Sequence, residues 1–223
     1  LEAGVRFLPT TLVIMVAAPI SGRLADRIGP RWPIVVGMAL IALSLYLFSQ
    51  ITDGTTFSDV LPSFIILGAG IGLTMSPMST AAMNAVPKTK AGVASGVLSM
   101  FRMVGGTFGV AALGALFQSE AKDRLASNPD AALLSASDRS DFAHQLTGGA
   151  PHIDGVSAAQ AKQLIPIGHD AFIYGLTHAM TLSVGVAVVG VLVAFLMIGD
   201  KAESIDEQTQ EAAEIAEAAS PVA

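Results

Sequence analysis

The chain has 223 residues, of which 52% are hydrophobic and only 13% charged. A water-soluble domain of that size carries about twice the charge, so composition excludes a soluble fold for most of the chain. The formal charge of −6 does not imply a cationic partner, because it belongs to the end of the chain: seven acids (Asp200, Glu203, Asp206, Glu207, Glu211, Glu214, Glu217) stand against Lys201 there, and all that precedes them is neutral overall; nothing is basic enough to argue for nucleic acid.

Five apolar stretches reach the roughly 20 residues needed to cross a hydrocarbon core. They run Gly4–Leu24, Trp32–Ile51, Leu61–Met83, Ala91–Phe117 and Phe172–Ile198. Pro33 and Pro62 are expected in first turns, while Pro9, Pro19 and Pro77 fall inside spans, where neighbouring helices must satisfy the freed carbonyls. The expectation is an all-α membrane protein with five transmembrane helices. Connections near 23–32 and 84–91 carry Arg23, Arg27, Arg31, Lys88 and Lys90, whereas 52–60 carries no Lys or Arg. By the positive-inside rule the first and third connections face the cytoplasm, the N-terminus lies outside and the acidic tail, 200–223, inside.

Residues 118–170 read as an external loop lying on the bundle, with short helices starting near Ser135 and at Ser157, the latter with Gln160 in the capping-box position. The tail reads as a solvated, partly helical end. The chain has no cysteine, which excludes disulfides and thiolate chemistry. His144, His152, His169 and His178 have no ligand spacing, so neither metal nor cofactor is expected.

The first basic connection reads Gly22-Arg23-Leu24-Ala25-Asp26-Arg27-Ile28-Gly29-Pro30-Arg31. As a loop between antiparallel spans, it uses Gly22 for close helix approach and Gly29-Pro30 for the turn. Asp26 is expected within reach of the next helix's N-terminal amides, and Arg27 and Arg31 beside Asp26 or a neighbouring carboxylate. A positive-inside turn with a capping acid accounts for these residues equally well.

The spacing resembles the signature loop of the major facilitator superfamily: glycine, three residues, aspartate, arginine, one residue, glycine, then basic residues. Pro30 stands where that loop often carries a basic residue. Further stretches are similar to the fourteen-helix drug:proton antiporters of the EmrB/QacA type: Leu1-Glu2-Ala3-Gly4-Val5-Arg6-Phe7-Leu8-Pro9, Ala85-Val86-Pro87, Ala91-Gly92-Val93-Ala94-Ser95-Gly96, Arg102-Met103-Val104-Gly105-Gly106 and Ala171-Phe172-Ile173-Tyr174-Gly175-Leu176-Thr177-His178-Ala179. The resemblance implies a C-terminal portion, with five spans forming most of the C-terminal bundle and partnered by missing N-terminal helices. It implies a bacterial inner-membrane exporter of small amphiphilic organic molecules in exchange for protons. Gly22, Asp26, Arg27, Gly29 and Arg31 would then form a gating loop that latches and releases.

Within the spans, Arg102 is the one clear charge. It must face protein or water, or else snorkel to the headgroups. Gly92 and Gly96, then Gly105 and Gly109, stand four apart and suit close helix packing. Gly68, Gly70 and Gly72 suit packing or a flexible cavity wall. Met75, Met78, Met83, Met100 and Met103 suit either a promiscuous cavity or plain apolar surface. No Asp or Glu lies in the middle of a span, so a proton-coupling carboxylate is expected elsewhere in the protein. Two other classes remain in view. A membrane scaffold predicts that Asp26 is dispensable beyond folding. An intramembrane enzyme is opposed by the lack of paired catalytic groups, with Ser95 having no base in sight.

Overall fold

The computed structural model describes residues 2–52, 54–127 and 158–198. The proposed helix near Ser135 and the acidic tail lie outside the described residues. Among the described residues there are five long α-helices: α1 (Glu2–Ile28), α2 (Arg31–Phe48), α3 (Phe57–Asn84), α4 (Ala91–Ser127) and α5 (Ala158–Met197), with a 3-10 turn at Lys88–Lys90. Each is long and apolar enough to cross a membrane, and the chain is an all-α membrane protein.

All the helices but α2, which stops at Phe48 short of the expected Ile51, overrun the apolar stretch that announced them. Hydropathy marks where lipid must end, whereas a helix continues until its backbone is capped. Thus α1 runs through the charged residues to Ile28, and Asp26 and Arg27 stand on its last turns rather than in a loop. The connection to α2 is only Gly29 and Pro30. Gly29 has φ 86 and its N–H donates to the Ala25 carbonyl at 2.9 Å, the left-handed cap that glycine adopts without a Cβ penalty. Because α3 starts at Phe57, Pro62 falls after the first turn. Charged residues 120–124 continue α4 to Ser127, and the expected short helix at 157 is instead the opening of α5, so both helices reach well into segment 118–170.

The chain divides into two compact units. The first comprises Leu1–Ala42, Phe64–Gly105 and the segment from Ala187 onward. Here α3 is the central element, with α1 on one side and α2 on another. A Cβ built on Gly68 would stand 2.6 Å from the Thr10 carbonyl oxygen, and one on Gly72 2.7 Å from the Ala17 Cβ. On the other side, a Cβ on Gly70 would come 2.8 Å from the Gly37 carbonyl oxygen and 2.9 Å from the Ile41 nitrogen. Gly68, Gly70 and Gly72 are therefore packing residues, each placed where only hydrogen fits. Hydroxyls add polar ties between the helices: Thr10 Oγ1 donates to the Phe64 carbonyl at 3.1 Å and Ser21 Oγ to that of Leu73 at 2.8 Å. Such bonds substitute for the hydrophobic drive that lipid removes. Pro33 and Pro77 are fully buried.

The second unit comprises Leu43–Ser63 and Gly106–Val186. Buried Ser44 donates to the Ser63 carbonyl at 2.8 Å, tying α2 to α3. The end of α4 and the first half of α5 pair antiparallel around Phe117, Ala121, Leu125, Ala171 and Ala179. Gly175 admits Phe117, whose carbonyl oxygen would lie 2.9 Å from an added Cβ. Phe117 and Phe172 meet edge to face at 5.4 Å, and Arg124 caps the pair with an ion pair to Asp170 at 2.8 Å and its guanidinium 5.0 Å over the Tyr174 ring.

Candidate functional site

The residues of the basic loop come together on one hairpin with unequal surroundings. A Cβ on Gly22 would lie 3.0 Å from Ser76 Oγ, so the close approach that this glycine permits is to α3. Asp26 and Arg27 are exposed on the last turns of α1. Asp26 makes no hydrogen bond to the α2 amides and no ion pair among the described residues. The reason is geometric: α1 continues through Ile28, which keeps the carboxylate on the outer surface of α1. Arg31 turns inward. It is half-buried, with its guanidinium 4.6 Å over the ring of Phe195 on α5, and Trp32 meets the same ring edge to face at 6.3 Å. Cation–π contact in a partly desolvated place is worth about 1–2 kcal/mol, so this contact fastens the loop to the last helix. The α2–α5 contact continues at Gly190, where an added Cβ would collide with Met38 Cε.

Arg102 stands eleven residues into α4, about 17 Å along the axis at 1.5 Å per residue. It is exposed and has no hydrogen bond or ion pair among the described residues. Its helix face is distinctive. Ser95, Ser99, Arg102, Gly106 and Gly109 follow one another at alternating intervals of four and three, which lines them along a single stripe. Val93, Val97, Met100 and Val104 occupy the opposite side and are exposed. This half of α4 is therefore two-faced, apolar on one side and small or polar on the other. The serines in that stripe were legible by spacing and add hydroxyl groups on the N-terminal side of Arg102.

Gly92, Gly96, Gly105, Gly106 and Gly109 of α4 make no close packing contact among the described residues. A Cβ on Gly92, Gly96, Gly105, Gly106 or Gly109 would meet nothing within 4 Å. The close packing expected of Gly92, Gly96, Gly105 and Gly109 is thus not made among the described residues. An equally regular stripe went unread on α5, where Ala171, Gly175, Ala179, Ser183 and Ala187 recur every four residues and all are buried. Their spacing was the signal. Met75, Met78, Met100 and Met103 are exposed. His178 Nδ1–H donates to the Tyr174 carbonyl at 3.0 Å within its own helix. No cluster able to hold a metal ion occurs among the described residues.

Five helices long and apolar enough to cross a membrane, with basic residues in the connections after α1 and α3, define a multi-spanning membrane protein. The family model described as Major Facilitator Superfamily matches residues 1–110. Over that region the chain belongs to the Major Facilitator Superfamily. Among similar proteins, the tetracenomycin C resistance and export protein of Streptomyces glaucescens is 33% identical over 199 residues, covering 86% of this chain and 37% of the relative. The multidrug resistance protein Stp of Mycobacterium tuberculosis is 36% identical over 113 residues, covering 51% of this chain and 21% of the relative. The multidrug efflux pump LfrA of Mycolicibacterium smegmatis is 28% identical over 197 residues, covering 86% and 38%. The chain thus spans well under half the length of the curated relatives that it matches.

Proposed function

We propose that this chain is part of a secondary transporter that exports amphiphilic organic molecules across a bacterial inner membrane in exchange for protons, by alternating access. The observation that carries the reading is the two-faced half of α4: an arginine eleven residues into an apolar helix, in line with Ser95, Ser99, Gly106 and Gly109, suits the wall of a polar pathway better than a lipid-facing surface. The superfamily match and the export and multidrug resistance names of the relatives support it. In this reading further helices of the same protein complete the pathway and supply the proton-coupling carboxylate, since no acid stands mid-span here. The basic hairpin faces the cytoplasm, and Asp26, unengaged among the described residues, is the group that pairs across the closed cytoplasmic gate. Arg31 holds the hairpin on α5 while Asp26 and Arg27 exchange partners.

Ethidium extrusion by cells expressing the complete reading frame tests this directly. Energy-dependent efflux that collapses with a protonophore and falls in Asp26→Asn and Arg102→Ala, at matched expression, is expected. A scaffold would show no efflux and no sensitivity to Asp26→Asn. Orientation has its own test: single cysteines at Thr89 and Asn128 should react oppositely with an impermeant thiol reagent on intact cells, Asn128 labelling from outside.

A further inference from the structure

Pro77 sits inside α3 with its side chain fully buried. A proline has no N–H, so the helix cannot supply the amide that the carbonyl four residues earlier would accept. That carbonyl belongs to Leu73, and it is met from outside the helix. Ser21 of α1, itself fully buried, donates its hydroxyl to the Leu73 oxygen at 2.8 Å. The hydroxyl bonds of Thr10 and Ser44 differ in this respect. They go to the carbonyls of Phe64 and Ser63, which stand four residues before Gly68 and Leu67. Those two residues carry amides within the same helix, so Thr10 and Ser44 add a second donor where Ser21 replaces a missing one.

The place of this bond on each helix gives it a consequence. On α1, Ser21 and Ala25 lie one turn apart and are buried, whereas Arg23, Asp26 and Arg27 are exposed. Ser21 thus stands five residues, about 7.5 Å, before Asp26 on one continuous helix. Gly22 beside it lets α1 close on Ser76, the residue before Pro77. On α3, Pro77 separates the part packed through Gly68, Gly70 and Gly72 from the last seven residues, which lead to the turn at Lys88–Lys90. Around the proline, Thr74, Ser79 and Thr80 donate to the carbonyls of Gly70, Met75 and Ser76 on their own helix, and such back-bonding softens a helix. The weak point of α3 and the root of the charged hairpin are therefore joined through one hydroxyl.

We propose that Ser21 is a positioning residue: its hydroxyl stands in for the amide that Pro77 lacks and so clasps the hairpin end of α1 to the weak point of α3. The clasp sets where Asp26 and Arg27 stand and couples them to the segment of α3 beyond Pro77. A buried carbonyl that loses its donor is costly where water cannot replace it, so the two helix ends stay together until another donor reaches Leu73. Only the consequence for Asp26 as a gating group rests on the proposed function; the clasp does not.

The test is a double-mutant cycle in the full-length protein in nanodiscs. Ser21→Ala should lower the unfolding midpoint by about 2–4 °C, the shift expected from leaving one buried acceptor without a donor. Pro77→Ala brings an amide to that position, and in its background Ser21→Ala should lower the midpoint by less than about 1 °C. Pro77→Gly brings the same amide and takes its place if Pro77→Ala does not fold. Thr10→Ala, the control on the same pair of helices, should cost the same with and without Pro77. Positioning has a separate readout. In a background without other cysteines, spin labels at Ile28→Cys and Thr89→Cys report the spread of distances between the end of α1 and the connection after α3. That distribution should widen in Ser21→Ala and keep its width in Thr10→Ala. An equal cost of Ser21→Ala with and without Pro77 would overturn the clasp. A width unchanged in Ser21→Ala, or growing equally in Thr10→Ala, would overturn the positioning role. Extrusion insensitive to Asp26→Asn, by contrast, would remove the gate and leave the clasp standing.

Discussion

On α3, a Cβ added to Gly68 or Gly70 would stand 2.6 or 2.8 Å from a carbonyl oxygen of a neighbouring helix; on α4, one added to Gly92, Gly96, Gly105 or Gly109 would meet nothing within 4 Å. The two helices have comparable glycine content and similar hydropathy, yet glycine does different work in each. In α3 it removes bulk so that α1 and α2 can touch the backbone, and Thr10 and Ser21 complete the contact with hydroxyl bonds. In α4 it leaves a shallow, uncovered strip beside Arg102. The lesson is that small-residue spacing announces a surface meant to be approached, and only the neighbours decide whether another helix of this chain does the approaching.

A single methyl distinguishes these two uses most sharply. Gly70→Ala pushes into the Gly37 carbonyl and should cost about 2 kcal/mol, whereas Gly105→Ala should stabilise by about 0.5 kcal/mol through helix propensity. Thermal unfolding of the purified full-length protein reads both. Loss of stability in Gly105→Ala would mean that another helix covers the strip, and the comparison would collapse. Next, Arg102→Ala should lower extrusion roughly tenfold, the effect of losing a hydrogen bond to a charged group worth about 1.4 kcal/mol, with unfolding unchanged; Arg102→Lys should recover part of it. An equal loss of folded protein in Arg102→Ala would assign the arginine to structure instead.

Two smaller effects probe the fixed side. Gly29→Ala places a Cβ on a left-handed residue and should cost about 1 kcal/mol, read as a lowered unfolding temperature. Ser44→Ala removes a buried tie to α3 and should cost about 0.6 kcal/mol. A neutral Ser44→Ala would show that glycine contact alone holds α2 on α3.

Much of this was legible from residue order. Five apolar runs marked five helices, and the Gly22 to Arg31 spacing marked the tight hairpin, because a two-residue connection needs a glycine with positive φ. Helix ends were not legible, since Asp26, Arg27 and the charged residues 120–124 halt a hydropathy run without halting backbone hydrogen bonding. Nor could order tell that Arg31 would settle on Phe195, as a cation–π partner more than 160 residues away leaves no local pattern. The burial of Gly68 and Gly72 and the openness of the α4 glycines look alike in sequence because each pair stands four residues apart.

The lengths of α4 and α5 carry one more implication. At 37 and 40 residues they measure about 55 and 60 Å, nearly twice a hydrocarbon core of about 30 Å. The surplus is where Phe117, Leu125, Ala171 and the Arg124–Asp170 ion pair hold the two together. Over that stretch they form a two-stranded mast, along which a reporter could be stepped one helical turn, about 5.4 Å, at a time.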